Sequence, residues 1–131
     1  MVIDTSALLA ILQGEAETRA FIDAIRRADS PVISTASVLE SSIVIESRFG
    51  PEGVRDLDLF LLKAGITQVA VDAEHAALGR QAYRKYGKGR HPAGLNFGDC
   101  FAYALARSRG EALLFKGEDF SKTDLKAVEL P

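Results

Sequence analysis

The sequence predicts one α/β domain, a central and mostly parallel sheet of four to five short strands with helices on both faces. Three observations predict it. Short runs of β-branched and apolar residues alternate with longer stretches of helical spacing, the pattern of strands joined by crossover helices. Most of the glycines and prolines fall between these runs, where they punctuate turns. The chain has 131 residues and a hydrophobic fraction of 47%, enough for a core without disulfide or metal staples.

Val2 and Ile3 form the first strand, ending at Asp4. Thr5 and Ser6 lead into the helical run Ala7–Leu12. Gly14 breaks it, and helical spacing resumes from Ala16 to Ala28. There Ala20, Phe21, Ala24, Ile25 and Ala28 make an apolar stripe, with Arg19, Asp23, Arg26 and Arg27 largely off it. Asp29-Ser30-Pro31 is a turn into the strand Val32-Ile33-Ser34. A third helix starts near Thr35 and runs to Phe49, where Gly50-Pro51 stops it. Val54–Ala64 is a further amphipathic helix, ended by Gly65. Thr67–Val71 reads as a buried strand. Asp72 caps a helix through Tyr86 whose apolar positions are Ala76, Ala77, Leu78, Ala82, Tyr83 and Tyr86. Residues 87–94 contain Gly87, Gly89, Pro92 and Gly94, so they form a loop. Asn96 caps the last helix, Phe97–Arg109, and Gly110 closes it. Ala112–Phe115 is a strand, Gly117–Phe120 a turn, and Val128–Leu130 a closing edge strand. The single domain spans residues 1–131.

Composition narrows the function. Cys100 is the only cysteine, so no internal disulfide forms and a reducing cytoplasm is the expected location. An acid at position 4 with no basic residue before it argues against a signal peptide. No apolar stretch reaches the roughly 18 residues of a membrane span. The net charge of −2 argues against gripping nucleic acid with the whole surface. Locally the balance differs. No acid occurs between Ala76 and Gly98, whereas Arg80, Arg84, Lys85, Lys88, Arg90 and His91 do. This stretch reads either as a solvated face and loop or as a segment that holds phosphates.

Four carboxylates carry the chemistry. Asp4 follows a strand and precedes a helix, where open α/β sheets place their sites, although it equally reads as a helix cap. Glu40 has Ala36, Ile43 and Val44 as its helical neighbours, which puts a charge on an apolar inward stripe. Its bland alternative is the capping box Ser37-Val38-Leu39-Glu40. Asp99 pairs with Asn96 in the first turn of the last helix, yet Ala102, Tyr103 and Ala106 turn it toward the sheet. Asp119 sits in the turn after the last central strand, where aspartate is common. All four can meet at one end of the sheet, where they would repel unless protonated or neutralised by cations. Oxygen-only ligands select Mg²⁺ or Mn²⁺, and such a centre beside a basic loop suits phosphodiester hydrolysis. Thr5 and Ser6 carry hydroxyls that orient Asp4 or merely cap the helix.

The chain resembles the PIN-domain ribonucleases, specifically the VapC toxins of prokaryotic toxin–antitoxin pairs, along essentially its whole length. The resemblance rests on Val2-Ile3-Asp4-Thr5-Ser6-Ala7 and on Ser34-Thr35-Ala36-Ser37-Val38-Leu39-Glu40. It also rests on Leu95 to Ala104, which contains Asn96-Phe97-Gly98-Asp99-Cys100, and on Leu113 to Phe120. It implies a Mg²⁺- or Mn²⁺-dependent endoribonuclease with Asp4, Glu40 and Asp99 as its acidic core. It further implies a homodimer, silenced by a VapB-type antitoxin whose tail enters the active-site groove. In one place the chain departs from the family. Many relatives carry Thr-x-Asp after the last central strand, but Phe115 and Gly117 stand in those two places here. The fourth acid then falls to Asp119, or less readily to Glu118.

Other small α/β enzymes fit less well. A receiver domain needs an acidic pair after the first strand, a haloacid-dehalogenase phosphatase needs Asp-x-Asp where residue 6 is Ser, and no glycine precedes Gly14 to make a dinucleotide-binding turn. The remaining rival is a PIN-like module that binds RNA or a protein without cutting. Phe21, Leu57, Phe60 and Leu61 lie on helices that hold more apolar residues than a small monomer would bury. They are the expected surface for a homodimer and for an antitoxin helix laid in a groove.

Overall fold

The computed structural model describes residues 1–131. In chain order its elements are β1 (Val2–Ile3), α1 (Thr5–Leu12), α2 (Thr18–Arg27), β2 (Val32–Ser34), α3 (Thr35–Lys63), β3 (Thr67–Val69), α4 (Ala73–Tyr86), α5 (Phe97–Arg109) and β4 (Leu113–Leu114), with a 3₁₀ turn at Phe120–Lys122. The strands form one sheet in the order β3-β2-β1-β4. Every pairing is parallel, with Val2 beside both Val32 and Leu113.

Alternation along these short strands builds two cores. Ile3, Ile33 and Leu114 point to one face, where α1, α2 and α3 cover them with Leu8, Phe21, Ile25, Ile45, Leu57 and Leu61. Val2, Val32 and Leu113 point to the other, against Ala82 and Tyr86 of α4 and Ala102, Tyr103, Leu105 and Ala106 of α5. Successive strand residues face opposite sides. A strand with helices on both faces must therefore be apolar throughout, as these are.

Local signals set the helix ends. Ser34 accepts the Ala36 N–H to start α3, Asp72 accepts that of His75 to start α4, and Gly110 closes α5 in the left-handed region. The break expected at Gly50-Pro51 is present as a kink, with Gly50 at φ 71 and ψ −165. Thereafter α3 resumes at once and not at Val54. Its first half starts at Ser34, which leaves Ser37 inside the helix and removes the capping-box reading of Glu40.

Several expectations need correction. Thr67–Val71 is not a buried strand: β3 ends at Val69, and Thr67 and Gln68 are exposed. It lies at the edge of the sheet, paired only with β2. Val128–Leu130 is not a strand either. Leu113 meets this tail through a single bridge to Ala127, with a hydrogen bond from the Val128 N–H. Phe21, Leu57 and Leu61 are core residues, at 2%, 0% and 4% exposure, and leave no surface for a partner. The exposed apolar residues of this side are Leu39, Ile43, Phe49, Leu59 and Leu62, all on α3.

The kink gives a direct test of the fold. A Cβ at Gly50 would touch nothing, so the cost of Gly50→Ala is conformational alone. That backbone region is open essentially to glycine only, and the variant should lose about 1–3 kcal/mol of stability in urea unfolding. An unchanged midpoint would mean that the two halves of α3 do not need this bend.

Candidate active site

Strand order places the site. β2 lies on one side of β1 and β4 on the other, so the order reverses beside β1. In open α/β sheets the crevice at such a reversal, beyond the carboxyl ends of the strands, is where ligands bind. Asp4 follows β1 directly, and Asp119 follows β4. Helix α5 runs back toward the sheet's other end before β4, so its first turn, with Asp99, also lies at this end.

Asp4 is 4% exposed. It caps α1 as its bland reading held, but it is also the most perturbed acid of the chain. Its Oδ2 accepts the Ser6 N–H at 3.0 Å and the Ser6 hydroxyl at 2.6 Å. Burial pushes its carboxyl from the ordinary 3.8 up to about 7; the two Ser6 hydrogen bonds oppose the rise, and the charges of Asp99 and Glu40 add to it. The Ser6 oxygen in turn accepts the Lys116 N–H at 2.9 Å, which joins the exit of β1 to that of β4. Thr5 is buried, and its hydroxyl donates to the Ser37 carbonyl at 3.4 Å. Thus Ser6 positions Asp4, and Thr5 fastens α1 to α3.

Glu40 reaches the site by a route other than the predicted stripe. Ile43 is 61% exposed, and the inward face of this half of α3 is Ser37, Ser41 and Ile45. Glu40 lies at the margin and extends over the first turn of α5. A Cβ at Gly98 would stand only 2.7 Å from the Glu40 Cδ, so the absence of a side chain at 98 is what admits the carboxylate. Asp99 completes a capping box with Asn96: its Oδ2 accepts the Asn96 N–H at 3.0 Å, while Asn96 Oδ1 accepts the Asp99 N–H at 2.9 Å. Burial raises its carboxyl, the Asn96 hydrogen bond opposes this, and the charges of Asp119 and Glu40 add to the rise. Asp119 is exposed, and it is Asp119 rather than Glu118 whose charge acts on Asp99.

Asp4 therefore lies within the fields of Asp99 and Glu40, and Asp99 within those of Glu40 and Asp119. None of the four forms an ion pair; every salt bridge of the chain uses other acids. The chemistry of this donor set, all oxygen and lacking any counter-charge, fits a hard divalent cation. The folded geometry is not yet that of a closed ligand shell, because no three acidic, His or Cys side chains surround a common point.

The basic stretch borders this cluster. Lys88 shares a cavity with Asn96 and Phe97 at the start of α5. Arg84, Lys85, Lys88 and Arg90 are exposed, and Lys85 Nζ lies 5.0 Å from the centroid of the Tyr86 ring. His91 is half-buried: its Nδ1 accepts the Ala93 N–H at 3.0 Å and its ring meets Tyr86 edge-on at 5.0 Å. The glycine-rich loop is tied down rather than free. Lys88 N–H bonds the Leu95 carbonyl, Leu95 N–H bonds that of Tyr86, and Arg90 and His91 both donate to Gly87.

The PIN-domain family model matches residues 1–126. A ribonuclease VapC of Mycolicibacterium smegmatis is 60% identical over 130 residues, covering 98% of this chain and 99% of that protein. Ribonuclease VapC30 of Mycobacterium tuberculosis is 55% identical over 131 residues and covers both chains fully. The chain belongs to the PIN-domain family, among the VapC proteins. The PIN fold is also that of M. tuberculosis VapC20, described as a sarcin-ricin loop cleaving toxin, with a TM-score of 0.80 at 16% identity, covering 99% of this chain and 98% of that one. A toxin–antitoxin complex from Klebsiella pneumoniae gives 0.70 at 15% identity, covering 94% and 92%.

Reading the PIN sequence alone missed two contributors to the site. Gly98 is one; its position in the first turn of the last helix, two residues after Asn96 and beside Asp99, was the available signal. Lys116 is the other, and no sequence signal shows that its backbone N–H holds Ser6.

The buried charge sets a pH dependence. Asp4 is raised from 3.8 to about 7, so the folded state holds a proton that the unfolded chain releases. The associated stability is full below the lower value and is lost as pH rises toward 7. In EDTA, Asp4→Asn should escape this loss. Its stability relative to the parent chain should therefore rise by roughly 2–3 kcal/mol between pH 5 and pH 8. Parallel stability curves from urea unfolding at the two pH values would show that Asp4 is not strained.

Proposed function

We propose that this chain is a divalent-metal-dependent endoribonuclease that acts as the toxin of a toxin–antitoxin pair. The observation that carries the proposal is the charge interaction of Asp4 with Glu40 and Asp99, and of Asp99 with Asp119, near the switch point of the sheet with no basic side chain paired to any of them. Membership of the VapC group, whose named relatives are ribonucleases, supports the reaction class. A Mg²⁺ or Mn²⁺ ion held by Asp4, Asp99 and Glu40, with Asp119 beside them, would activate water and offset charge on the phosphate and the departing oxygen.

The remaining roles belong to the chain itself. Ser6 fixes the orientation of Asp4 with two hydrogen bonds and leaves Oδ1 uncommitted. Asn96 holds one oxygen of Asp99 and leaves the other free. Gly98 keeps the path of Glu40 open. Lys88 and Arg90, with Arg84 and Lys85 behind them, offer cations to the RNA backbone, a contact that positions the strand without reading it. His91 is a weaker candidate for such a contact, since its Nδ1 is engaged. No helix is long and apolar enough to cross a membrane. The antitoxin partner is supported by the family, and the exposed i, i+4 pair Leu39 and Ile43 with Phe49, Leu59 and Leu62 on α3 is the apolar surface open to it or to a second copy.

One observation favours the rival module that binds without cutting: no three carboxylates yet surround one point. Cleavage separates the two readings. The parent chain should cut RNA with added Mg²⁺ or Mn²⁺ and stop in excess EDTA. Asp4→Asn and Asp99→Asn should each lower the rate by at least 10²-fold while the circular dichroism spectrum stays native. Gly98→Ala should keep the fold and lose most of the rate, because the new methyl displaces Glu40. Full activity in either Asn variant would refute the centre.

Replacing Lys88 and Arg90 by Ala has a different signature. For every phosphate that the protein no longer neutralises, the salt slope of binding to single-stranded RNA falls by about 0.7, and divalent-ion binding is left unchanged. A salt titration with Asp4→Asn as the parent, where nothing is cut, checks this; an unaltered slope would make the loop a solvated surface.

A further inference from the structure

The cavity between α4 and α5 is unexplained by the acids. It has a volume of about 500 Å³ and its walls are mostly apolar, within the range of small-ligand sites. Phe97, Phe101, Tyr83 and His75 line it. Phe97 is 78% exposed although it stands in the first turn of a packed helix, and its ring is propped edge-on by Phe101 at 4.9 Å. A solvated helix face does not ordinarily hold a large aromatic so far out, and here a second ring fixes its orientation.

One further feature identifies the occupant. The rim is cationic. Arg80 and Lys88 line it, and the Arg90 guanidinium carbon lies 5.8 Å from the centroid of the Tyr83 ring. A second copy of this chain docked about a twofold axis would bring that basic face against itself. An aromatic floor with a cationic rim suits single-stranded nucleic acid, whose bases stack and whose phosphates pair with the rim.

We propose that this cavity receives one nucleobase of the RNA, stacked on Phe97 and Tyr83, adjacent to the phosphate offered to the acids. The inference rests on the ribonuclease reading above. Adjacency follows from the first turn of α5, in which Asn96 and Phe97 line the cavity while Asp99 joins the acid cluster. A helical turn advances only about 5 Å. The site thus gives the chain a contact with a base in addition to its contacts with the backbone.

The test uses the full chain carrying Asp4→Asn and a fluorescein-labelled single-stranded RNA of randomised sequence, about 12 nucleotides long. Adding Phe97→Ala should weaken binding about tenfold without altering the salt slope, since a stacking contact releases no counterion. Phe97→Trp should restore affinity, and Phe97→Leu should not, because leucine is apolar but has no π face. Leucine binding as well as phenylalanine would overturn the inference. So would a changed sedimentation coefficient of the free Phe97→Ala protein, which would mark an interface between copies. Should the chain with Asp4 intact fail to cut this RNA and its Asp4→Asn form fail to bind it, the ribonuclease reading itself fails. If the chain with Asp4 intact cuts and the Asp4→Asn form binds, while all Phe97 variants bind equally well, only the nucleobase site is removed.

Discussion

A carboxylate buried at the carboxyl end of the central strand is the constraint around which this PIN domain is arranged. β1 has neighbours on both edges and helices on both faces, so the residue that follows it is enclosed. Asp4 occupies that place at 4% exposure and has no cation to pair with. Burying a lone charge costs several kcal/mol unless the group is protonated or finds a partner. The chain answers partly through Ser6, which donates twice to Asp4 and receives the Lys116 N–H. That one hydroxyl joins the two strands between which the sheet order reverses. Glu40 and Asp99 then arrive from other elements and aggravate the strain instead of relieving it, and Asp119 does the same to Asp99.

Much of this was legible from the chain because it depends on local chemistry. Val2-Ile3, Val32-Ile33 and Leu113-Leu114 are apolar on both faces of the sheet, which marks strands of a parallel, doubly covered sheet. Gly50, Gly110 and the caps at Ser34, Asp72 and Asn96 act within a turn of themselves, so the sequence nearby suffices. The edge position of β3 was not legible. Thr67 to Val71 has the composition of a strand, but whether one neighbour or two will flank it is decided by residues far away. The loop at 87–94 shows the same limit: its glycines announce a turn, while the bond between Lys88 and Leu95 that closes it depends on where both ends are held. Glu40 was identified from a stripe that the structure does not use. Ile43 faces solvent because the inward face of this half of α3 is set by Ser37, Ser41 and Ile45, and the carboxylate reaches its neighbours only through the space left by Gly98.

The exposed apolar residues divide by the charges around them. On α3, Leu39, Ile43, Phe49, Leu59 and Leu62 stand among Glu46, Glu52, Asp56 and Asp58 as well as Arg48, Arg55 and Lys63. A mixed surface of that kind suits a protein partner, for which apolar contact supplies affinity and paired charges select orientation. On α4 and the start of α5, Tyr83 and Phe97 stand among cations with no acid from Ala76 to Gly98. There the apolar groups are aromatic, and the cations of the stretch stand beside the acid cluster at the start of α5. The difference matters for the proposed pairing with an antitoxin, because partner and substrate need not compete for the same apolar contacts.

Competition would instead be electrostatic, and it returns to Asp4. The acid cluster attracts any cation that can reach it, whether a divalent ion or an Arg or Lys side chain of a partner, since each relieves the same repulsion. The protonated form of Asp4 satisfies the fold but would offer nothing to the proposed metal, and the ionised form would serve as a ligand but strains the fold. With its carboxyl raised to about 7, the choice between these forms falls near neutrality, where a bound cation tips it. A ligand that binds only the folded state adds stability in proportion to the logarithm of its concentration over its dissociation constant. A basic side chain from an antitoxin would therefore gain the same relief as the metal while excluding it. The strain that would let the site hold the proposed ion would also open it to inhibition by a single well-placed cation.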